Sequence, residues 1–282
     1  MRLHTKDFLN IKLSLLKEIM GLNNKVDFVV AGAQKSGTNA LNDLLKLHPQ
    51  LCFTKKKKRN ELHFFDDDRL FTGWINSNHK YHMHFSPRQS HQLIGDVTPA
   101  YMYHPNAAER MSKYNPKLKI IVILRNPIER AFSHWNMQTK RKRESRPFLE
   151  AIKCELVTPH KTFPHRSKRF SFENRYLARG LYTEQIMRLH FFFPKKQVYI
   201  LKNEDLRLNP DKTLEDIFDF LSIDPSTYNQ IQQKKDTFSR YITTMSKEEW
   251  GFLRNYYENE IPKLSKYTGL SFNSWLDTPS FK

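Results

Sequence analysis

Short apolar runs and stretches of helical periodicity alternate along the chain. Residues 26–31 (VDFVVA), 119–124 (KIIVIL) and 197–201 (QVYIL) are near-continuous apolar runs, which is typical of strands buried in a parallel sheet. Apolar positions recur at helical spacing at Leu41, Leu44 and Leu45, at Tyr182, Ile186, Leu189 and Phe193, and at Leu214, Ile217, Phe218 and Leu221. This alternation predicts an α/β fold, a single domain with a central parallel β-sheet flanked by helices.

The composition favours a globular domain of enzyme size. With 39% hydrophobic residues in 282, the chain is not a disordered one, and we assign residues 26–282 to one domain. Residues 1–25 predict an amphipathic N-terminal helix or extension and lack the features of a signal peptide. Basic residues and prolines at 139–169 predict a flexible insertion. Because no stretch approaches the ~20 apolar residues of a membrane span, we expect a cytoplasmic protein, unless an anchor is missing from the sequence.

A large excess of positive charge narrows the range of partners. The chain has 47 Lys and Arg residues against 29 Asp and Glu residues, a formal net charge of +18. Such a surface favours a nucleic acid, an anionic membrane, a phosphorylated nucleotide or an acidic polysaccharide, although lysine-rich surfaces also serve solubility alone. The densest basic run, residues 55–59 (KKKKR), has a solvated loop as its simpler interpretation.

The two cysteines, Cys52 and Cys154, have no CxxC or Cys/His ligand spacing. This argues against a disulfide scaffold and against a structural zinc site. Reduced, buried thiols are the simpler interpretation, and one disulfide between the two is the alternative.

The strand at 26–31 leads into a glycine-containing loop and a helix. Gly32 and Gly37 have the spacing of a P-loop, but Thr38 stands where a nucleoside triphosphatase needs lysine, and the lysine of this loop is Lys35. This departure weakens an interpretation as a kinase or ATPase. Backbone N–H groups at the start of the helix still predict an anion site. They belong to Ser36, Gly37, Thr38 and Asn39.

A second candidate anion-binding element follows the strand at 119–124. Arg125 stands at the end of the strand, Asn126 and Pro127 open the next helix, and Ser133 lies further along it. A guanidinium makes charge-assisted, bidentate contacts to phosphate, and a hydroxyl near the start of a helix adds another. In a purely structural role, Arg125 would cap the edge of the sheet and Ser133 would be an ordinary helix residue.

Together these two elements resemble those of the sulfotransferases that use 3′-phosphoadenosine 5′-phosphosulfate (PAPS). The resemblance implies a P-loop-like fold in which the first loop holds the 5′-phosphosulfate, with Lys35 beside the oxygen that bridges phosphorus and sulfur. It also implies that Arg125 and Ser133 bind the 3′-phosphate, that Tyr182 contacts the cofactor and that no metal is required. The product would be 3′-phosphoadenosine 5′-phosphate (PAP). The basic loop that covers the nucleotide in this family has a poor counterpart at 234–240.

Residues 61–66 (ELHFFD) resemble a segment of the carbohydrate sulfotransferases, in particular those that modify heparan sulfate. The resemblance implies that Glu61 is the catalytic base for the acceptor, and that His63 and Asp66 line the acceptor site. His63 is the alternative base. In an extended segment, Glu61 and His63 would point to one side, and Leu62 and Phe64 to the other.

Residues 95–101 (GDVTPAY) match the same enzymes, except that Val97 stands where they carry a second active-site lysine. This departure puts the acceptor class in question and leaves more of the electrostatic stabilisation to Lys35. We expect an enzyme that moves a sulfuryl group from PAPS to a hydroxyl or amine, with a sugar or polysaccharide as acceptor and a small molecule as the other choice. The alternatives are a basic nucleic-acid-binding protein, although no nucleic-acid-binding module is recognisable, and a nucleotide kinase with a degenerate P-loop.

Overall fold

The computed structural model of the chain describes residues 16, 25–54, 61–71, 78–86, 92–158, 175–227 and 242–279. Four sequence predictions concern, wholly or in part, residues outside this set. They are most of the N-terminal helix or extension at 1–25, the basic run at 55–59, the second part of the insertion at 139–169 and the nucleotide-covering segment at 234–240. The division of the chain between residues 25 and 26 stays a prediction.

A parallel five-stranded sheet in the order β2-β3-β1-β4-β5 forms the centre of the described structure. The strands are β1 Phe28–Gly32, β2 Leu51–Cys52, β3 Leu93–Val97, β4 Lys119–Leu124 and β5 Val198–Lys202. From Ile120 to Leu124, every side chain of β4 is 0% exposed. Apolar residues therefore run continuously along this strand, because helices cover the sheet on both faces.

Helices pack against both faces of the sheet. They are α1 Thr38–Leu45, α2 Asn78–His82, α3 Ala107–Tyr114, α4 Pro127–Lys140, α5 Phe148–Val157, α6 Tyr182–Phe192, α7 Asn203–Leu208, α8 Pro210–Leu221, α9 Lys247–Tyr257 and α10 Glu260–Thr268. On one face, α1 and α8 bury apolar side chains against Ile121 and Ile123 of β4. On the other face, α3, α4, α6, α9 and α10 pack with Ile120 and Val122. The alternation of side chains along β4 thus contributes to both cores.

The structure confirms the strands and helices predicted from the apolar pattern. β4 has the predicted bounds, and β1 and β5 are displaced from theirs by one or two residues. The three helices predicted from periodicity are α1, α6 and α8. α4 begins where expected, because Pro127 occupies its first turn and the Asn126 side chain accepts a 3.0 Å hydrogen bond from the Ile128 N–H.

The stretch at 139–169, expected to be a flexible insertion, contains helical structure where it is described. α4 continues to Lys140, and α5 follows with Phe148 and Ile152 buried. Residues 159–169 lie outside the described residues. Pro147 directly precedes α5 and therefore does not prevent a helix in the first part of this stretch.

The two cysteines are both free thiols. The alternative of a disulfide between Cys52 and Cys154 is therefore wrong. We expected both side chains to be buried, but each is only half-buried.

The carboxyl ends of the parallel strands meet at one edge of the sheet. β1 is the central strand, with β3 on one side and β4 on the other. The chain leaves β1 towards β2 on one side and reaches β4 on the other, and such a change of direction opens a crevice at the carboxyl edge. The loop after β1 and Arg125 after β4 both face this crevice edge.

Candidate active site

The loop between β1 and α1 contains two residues with left-handed backbones. The φ angle is 72° at Lys35 and 96° at Gly37, which is the N-cap of α1. The Gly37 carbonyl oxygen accepts the 3.0 Å hydrogen bond from the Leu41 N–H that begins the helical ladder. The N–H groups of the first turn therefore have no acceptor within the helix and can meet an anion.

Not every N–H of the loop is available in this way. The Ser36 N–H donates to the Ala33 carbonyl oxygen at 3.2 Å, so it is engaged within the loop. Thr38 is 5% exposed, whereas Asn39 lies on the surface. The N–H groups of Gly37, Thr38 and Asn39 remain the predicted anion donors.

Asn203, the first residue of α7, holds the loop from the β5 side. Its side-chain Nδ2 donates to the Ser36 carbonyl oxygen at 2.9 Å. A Cβ atom added at Gly37 would lie 2.5 Å from the same nitrogen. Position 37 therefore needs glycine both for its positive φ and for the close approach of Asn203.

Arg125 follows β4 directly and is paired with a carboxylate on the next helix. Its Nε and Nη2 atoms donate to Glu129 Oε2 at 3.0 Å and 2.7 Å. Ser133, four residues after Glu129 on α4, therefore lies on the same face of the helix and is 6% exposed. The arginine and the serine that the sequence assigns to the 3′-phosphate thus share one side of α4.

Tyr182 contacts the second of the two predicted phosphate elements. It is 0% exposed, and its hydroxyl donates to the Arg125 carbonyl oxygen at 2.8 Å. Burial raises the pKa of Tyr182 to about 12, although Arg130, the adjacent Ser36 hydroxyl and Arg125 lower it. The phenol therefore stays neutral and braces the backbone at Arg125, while its contact with the cofactor stays a prediction.

Lys35 lies in a concentration of positive charge. Burial lowers its pKa first, and four cations lower it further: Arg141, Arg125, Arg130 and Lys140. Arg130 is 0% exposed, its Nη2 donates to the Tyr176 carbonyl oxygen, and its Nε and Nη1 have no hydrogen-bond partner among the described residues. This excess of cations beside a helix N-terminus fits a ligand with several negative charges, such as PAPS.

Glu61, His63 and Asp66 form one hydrogen-bonded cluster. The His63 Nε2 lies 3.0 Å from Glu61 Oε2, and the Nδ1 lies 2.8 Å from Asp66 Oδ2. Burial lowers the pKa of His63, but hydrogen bonds to Asp66 and Glu61 and their charges outweigh it and raise the pKa from 6.5 to about 9. At neutral pH His63 is therefore an imidazolium that donates a hydrogen bond from each nitrogen to a carboxylate.

The segment that carries this cluster separates its side chains as expected, but it is not extended. Leu62 and Phe64 are 7% and 4% exposed, whereas the side chains of Glu61 and His63 are 37% and 29% exposed. The φ angle at His63 is 53°, in the left-handed region, so the condition of an extended backbone is not met at this residue. Phe64 anchors the segment by stacking on Tyr81, with ring centroids 4.5 Å apart.

The cluster lies at the same edge of the sheet as Lys35. The Leu62 N–H donates to Thr98 Oγ1 at 3.1 Å, and Thr98 follows β3 directly. Because β3 is the neighbour of β1, the Glu61 segment and the Lys35 loop stand at the ends of adjacent strands. The predicted base, Glu61, and the lysine predicted to lie beside the leaving group, Lys35, therefore stand at the same edge of the sheet.

Val97 supplies no substitute for the missing lysine. Its side chain is 3% exposed and packs in the core between the sheet and the helices α1 and α8. Any second cation at this crevice comes from elsewhere in the chain. The basic run at 55–59 lies outside the described residues.

Sequence reasoning missed two residues that shape the site. Arg130 is one of a series of charged positions on a predicted helix, and nothing in the local pattern distinguishes a buried arginine from an exposed one. Asn203 carried a usable signal, because a polar residue directly after a predicted parallel strand stands at the edge where ligands bind.

Two negative findings apply to the part of the chain that the structure describes. No group of His, Cys, Asp and Glu side chains there has an arrangement that would hold a metal ion. No helix there combines the length and apolar character needed to cross a bilayer.

Comparisons with known proteins agree with these observations. A family model described as a sulfotransferase domain matches residues 25–263. The membrane-associated sulfotransferase kil1 of Dictyostelium discoideum is 25% identical, over 84% of this chain and 64% of its own. Heparan sulfate glucosamine 3-O-sulfotransferase 5 of Mus musculus is 29% identical, over 71% of this chain and 55% of its own. The bifunctional heparan sulfate N-deacetylase/N-sulfotransferase 3 of Mus musculus is 26% identical, over 88% of this chain and 31% of its own. The chain thus spans 31% to 64% of the length of these relatives.

A solved structure supports the fold independently. The sulfotransferase from Alicyclobacillus acidocaldarius superposes with a TM-score of 0.71, at 23% identity, over 89% of this chain and 99% of its own. This likeness confirms the predicted fold, with its central parallel sheet and P-loop-like turn. Because the family model covers most of the sequence, from the start of the sheet to α10, the chain belongs to the sulfotransferase domain family.

Proposed function

We propose that the protein is a PAPS-dependent sulfotransferase that transfers a sulfuryl group to a hydroxyl or amine of a carbohydrate acceptor. The observation that carries this proposal is the meeting of two sites at neighbouring strand ends. The cation-rich loop around Lys35 follows β1. The segment that carries the Glu61 cluster is held at the end of the neighbouring strand β3, where the Leu62 N–H donates to Thr98. A donor with several negative charges and an acceptor that must lose a proton would therefore be held side by side.

The cation-rich side has the residues that the donor needs. The first-turn N–H groups of α1 and Lys35 would hold the 5′-phosphosulfate, and Arg125 with Ser133 would hold the 3′-phosphate. When PAPS is bound, it supplies an activated sulfuryl group on a phosphate leaving group. Lys35 would stabilise the negative charge that develops on that phosphate, which favours the transition state over the ground state.

Glu61 is the better candidate for the base. Because the pKa of His63 is raised to about 9, its imidazole already carries a proton at neutral pH and cannot accept another. Glu61 Oε2 accepts the hydrogen bond from His63, and Glu61 Oε1 would accept the proton of the acceptor hydroxyl. His63, held from behind by Asp66, would orient the Glu61 carboxylate and line the acceptor site.

The carbohydrate acceptor rests on the relatives and on charge. Two of the relatives are named for heparan sulfate, and the net charge of +18 suits an acidic polysaccharide. A small-molecule acceptor is the other choice, since Val97 replaces the second lysine of those enzymes. A cytoplasmic location stays a prediction from the sequence.

Binding of the desulfated product tests the donor site without an acceptor. Isothermal titration with PAP, in the absence of magnesium, is expected to show binding that ATP and 5′-AMP do not match. Arg125→Ala should weaken PAP binding by about 100-fold, because a phosphate loses its charge-assisted partner. Equal binding of ATP would favour the kinase alternative, and binding of random DNA without PAP affinity would favour the nucleic-acid alternative.

Turnover tests the chemistry. With radiolabelled PAPS and heparosan, the unsulfated backbone of heparan sulfate, Lys35→Ala is expected to lower kcat at saturating PAPS by about 100-fold or more. Near-normal turnover by this variant would contradict the role given to Lys35. Transfer to small hydroxyl compounds, but not to heparosan, would show that the acceptor is a small molecule and not a carbohydrate polymer.

A further inference from the structure

Asp96, on β3, is a buried carboxylate surrounded by three hydroxyl groups. It is 1% exposed. Its Oδ2 accepts hydrogen bonds from the hydroxyls of Tyr81 at 2.7 Å and Tyr101 at 2.8 Å, and its Oδ1 accepts one from Thr98 Oγ1 at 2.8 Å. Burial raises the pKa of Asp96 to about 6, against these hydrogen bonds, which lower it. At neutral pH it is therefore ionised and can only accept, so all three hydroxyl protons point towards it.

Two of these hydroxyls use their oxygens to hold the Glu61 segment. Thr98 Oγ1 accepts the Leu62 N–H at 3.1 Å, and the Tyr101 hydroxyl accepts the Phe64 N–H at 3.0 Å. A hydroxyl whose proton is committed to a carboxylate presents its lone pairs to other donors. The negative charge of Asp96 thus determines that both oxygens face the backbone of the segment.

The two N–H groups that are held lie on either side of His63. That residue has a left-handed φ of 53°, a conformation that is uncommon for any residue other than glycine, so the hydrogen bonds on either side help to hold it. Its imidazole must also lie between Glu61 and Asp66 to make both hydrogen bonds. The position of the imidazole therefore depends on the anchoring of residues 62 and 64.

We propose that Asp96 is a positioning residue, which acts through Thr98 and Tyr101 to fix His63 between Glu61 and Asp66 and so to aim the Glu61 carboxylate. This inference rests on the proposed function, because only a sulfotransferase reaction gives Glu61 the role of a catalytic base. Asp96 touches neither the donor nor the acceptor. The hydrogen bonds that carry the inference can nevertheless be tested without turnover.

The chain offers a matched control in Tyr81. Its hydroxyl donates to the same Asp96 oxygen as Tyr101 does, and it is equally buried at 0% exposure. Its hydroxyl hydrogen bond goes to Asp96 and not to the backbone of residues 61–64. Tyr81→Phe therefore removes one hydrogen bond from the carboxylate, keeps the ring that stacks on Phe64, and leaves both links to the segment in place.

The deciding measurement is the NMR titration of the His63 ring in the whole protein. In the wild type it is expected to titrate at about 9, because both carboxylates are in place. Thr98→Val and Tyr101→Phe should move the titration of His63 towards its ordinary 6.5, whereas Tyr81→Phe should leave it near the wild-type value. The two link variants change no charge, so a shift reports geometry and not the loss of a negative charge. An unshifted His63 in both link variants, or an equal shift in Tyr81→Phe, would overturn the proposal.

Activity gives the second readout. Asp96→Asn, Thr98→Val and Tyr101→Phe are expected to lower kcat by about 10- to 100-fold with PAP affinity unchanged, since a small displacement of a catalytic group costs this much. Tyr81→Phe should keep kcat within about 2-fold. A loss of PAP affinity that parallels the loss of kcat would instead indicate general disruption and would contradict a positioning role.

Failure of the inference can be told from failure of the proposed function. If the wild type transfers no sulfuryl group, the titration of His63 still decides whether Asp96 holds the segment. If the wild type is active and the titration does not respond to the link variants, the function stands and the role of Asp96 falls. Should Asp96→Asn fail to fold, the two link variants decide alone, because they keep the buried carboxylate.

Discussion

The side-chain amide of Asn203 donates a 2.9 Å hydrogen bond to the carbonyl oxygen of Ser36. Asn203 follows β5 and Ser36 follows β1, and in the sheet these two strands are separated by β4. The hydrogen bond therefore spans the end of an intervening strand and ties the predicted phosphate loop to a distant part of the chain. A loop held in this way keeps its N–H groups in place before an anion arrives, which reduces the cost of ordering it on binding.

This contact makes Gly37 sensitive to the smallest side chain. Gly37→Ala is expected to destabilise the protein by about 1–3 kcal/mol, because alanine at a φ of 96° is strained and its Cβ would lie 2.5 Å from Asn203 Nδ2. PAP binding should weaken by about 10-fold or more, since Asn203 must move away from the loop. Urea unfolding and isothermal titration measure the two effects.

Gly251, within α9, provides the control for that substitution. A Cβ at Gly251 would meet nothing within 4 Å, and the residue lies in the interior of a helix. Gly251→Ala is therefore expected to stabilise the protein by about 0.5–1 kcal/mol and to leave PAP binding unchanged. A similar loss of PAP affinity in both variants would show that the effect at Gly37 is not specific to the loop.

The ion pair between Arg125 and Glu129 predicts a variant that binds PAP more tightly than the wild type does. Glu129 Oε2 occupies two donors of Arg125, and its negative charge would stand close to a 3′-phosphate bound there. Glu129→Gln is therefore expected to tighten PAP binding by about 3- to 10-fold at low ionic strength, and less at high ionic strength, because salt screens the repulsion. Titrations of PAP at about 20 mM and about 200 mM salt measure this dependence. Weaker binding by Glu129→Gln would mean that the carboxylate orients Arg125 and does not compete with the ligand.

The sequence was sufficient for those parts of the fold and site that depend on local pattern. The apolar run of β4 and the Pro127 helix start could be predicted because burial on both faces and a fixed proline φ leave few alternatives. Lys35 and Arg125 could be placed near each other, since both follow strands of one parallel sheet.

The remaining features depend on contacts between residues distant in sequence. The left-handed backbone at His63 could not be predicted, because it results from hydrogen bonds to Thr98 and Tyr101 across more than thirty residues of chain. The burial of Arg130 is likewise decided by what packs around α4. Short strands such as β2, with two residues, carry too little apolar pattern to be distinguished from a loop.

The raised pKa of His63 links this residue to the stability of the fold. Its pKa is about 9 in the folded protein against an ordinary value of 6.5, so the folded state binds this proton more tightly than the unfolded state. The stabilisation is fully present below about 6.5 and is lost as the pH rises through about 9, and it amounts to at most about 3 kcal/mol.

A comparison with His63→Gln measures this contribution. The difference in free energy of unfolding between the wild type and the variant should shrink as the pH rises from about 6.5 to about 9.5. Asp96, with a pKa of about 6, titrates below this window and does so in both proteins. Urea unfolding at several pH values is the measurement. A difference that does not change across the window would mean that the imidazolium is not held between Glu61 and Asp66.

The same proton distinguishes the two candidate bases. If Glu61 is the base and the His63 imidazolium orients it, kcat for transfer from PAPS to heparosan should decline above about pH 9, as His63 loses its proton. If neutral His63 is the base, kcat should instead rise as the pH approaches 9. Lys35 contributes a decline of its own at high pH, because burial and nearby cations lower its pKa. His63→Asn separates the two causes, since it removes the decline due to His63 and keeps that due to Lys35. Glu61→Gln should lower kcat by about 100-fold or more at every pH, with PAP affinity unchanged. A Glu61→Gln enzyme that stays active, with a kcat that rises with pH, would assign the role of base to His63.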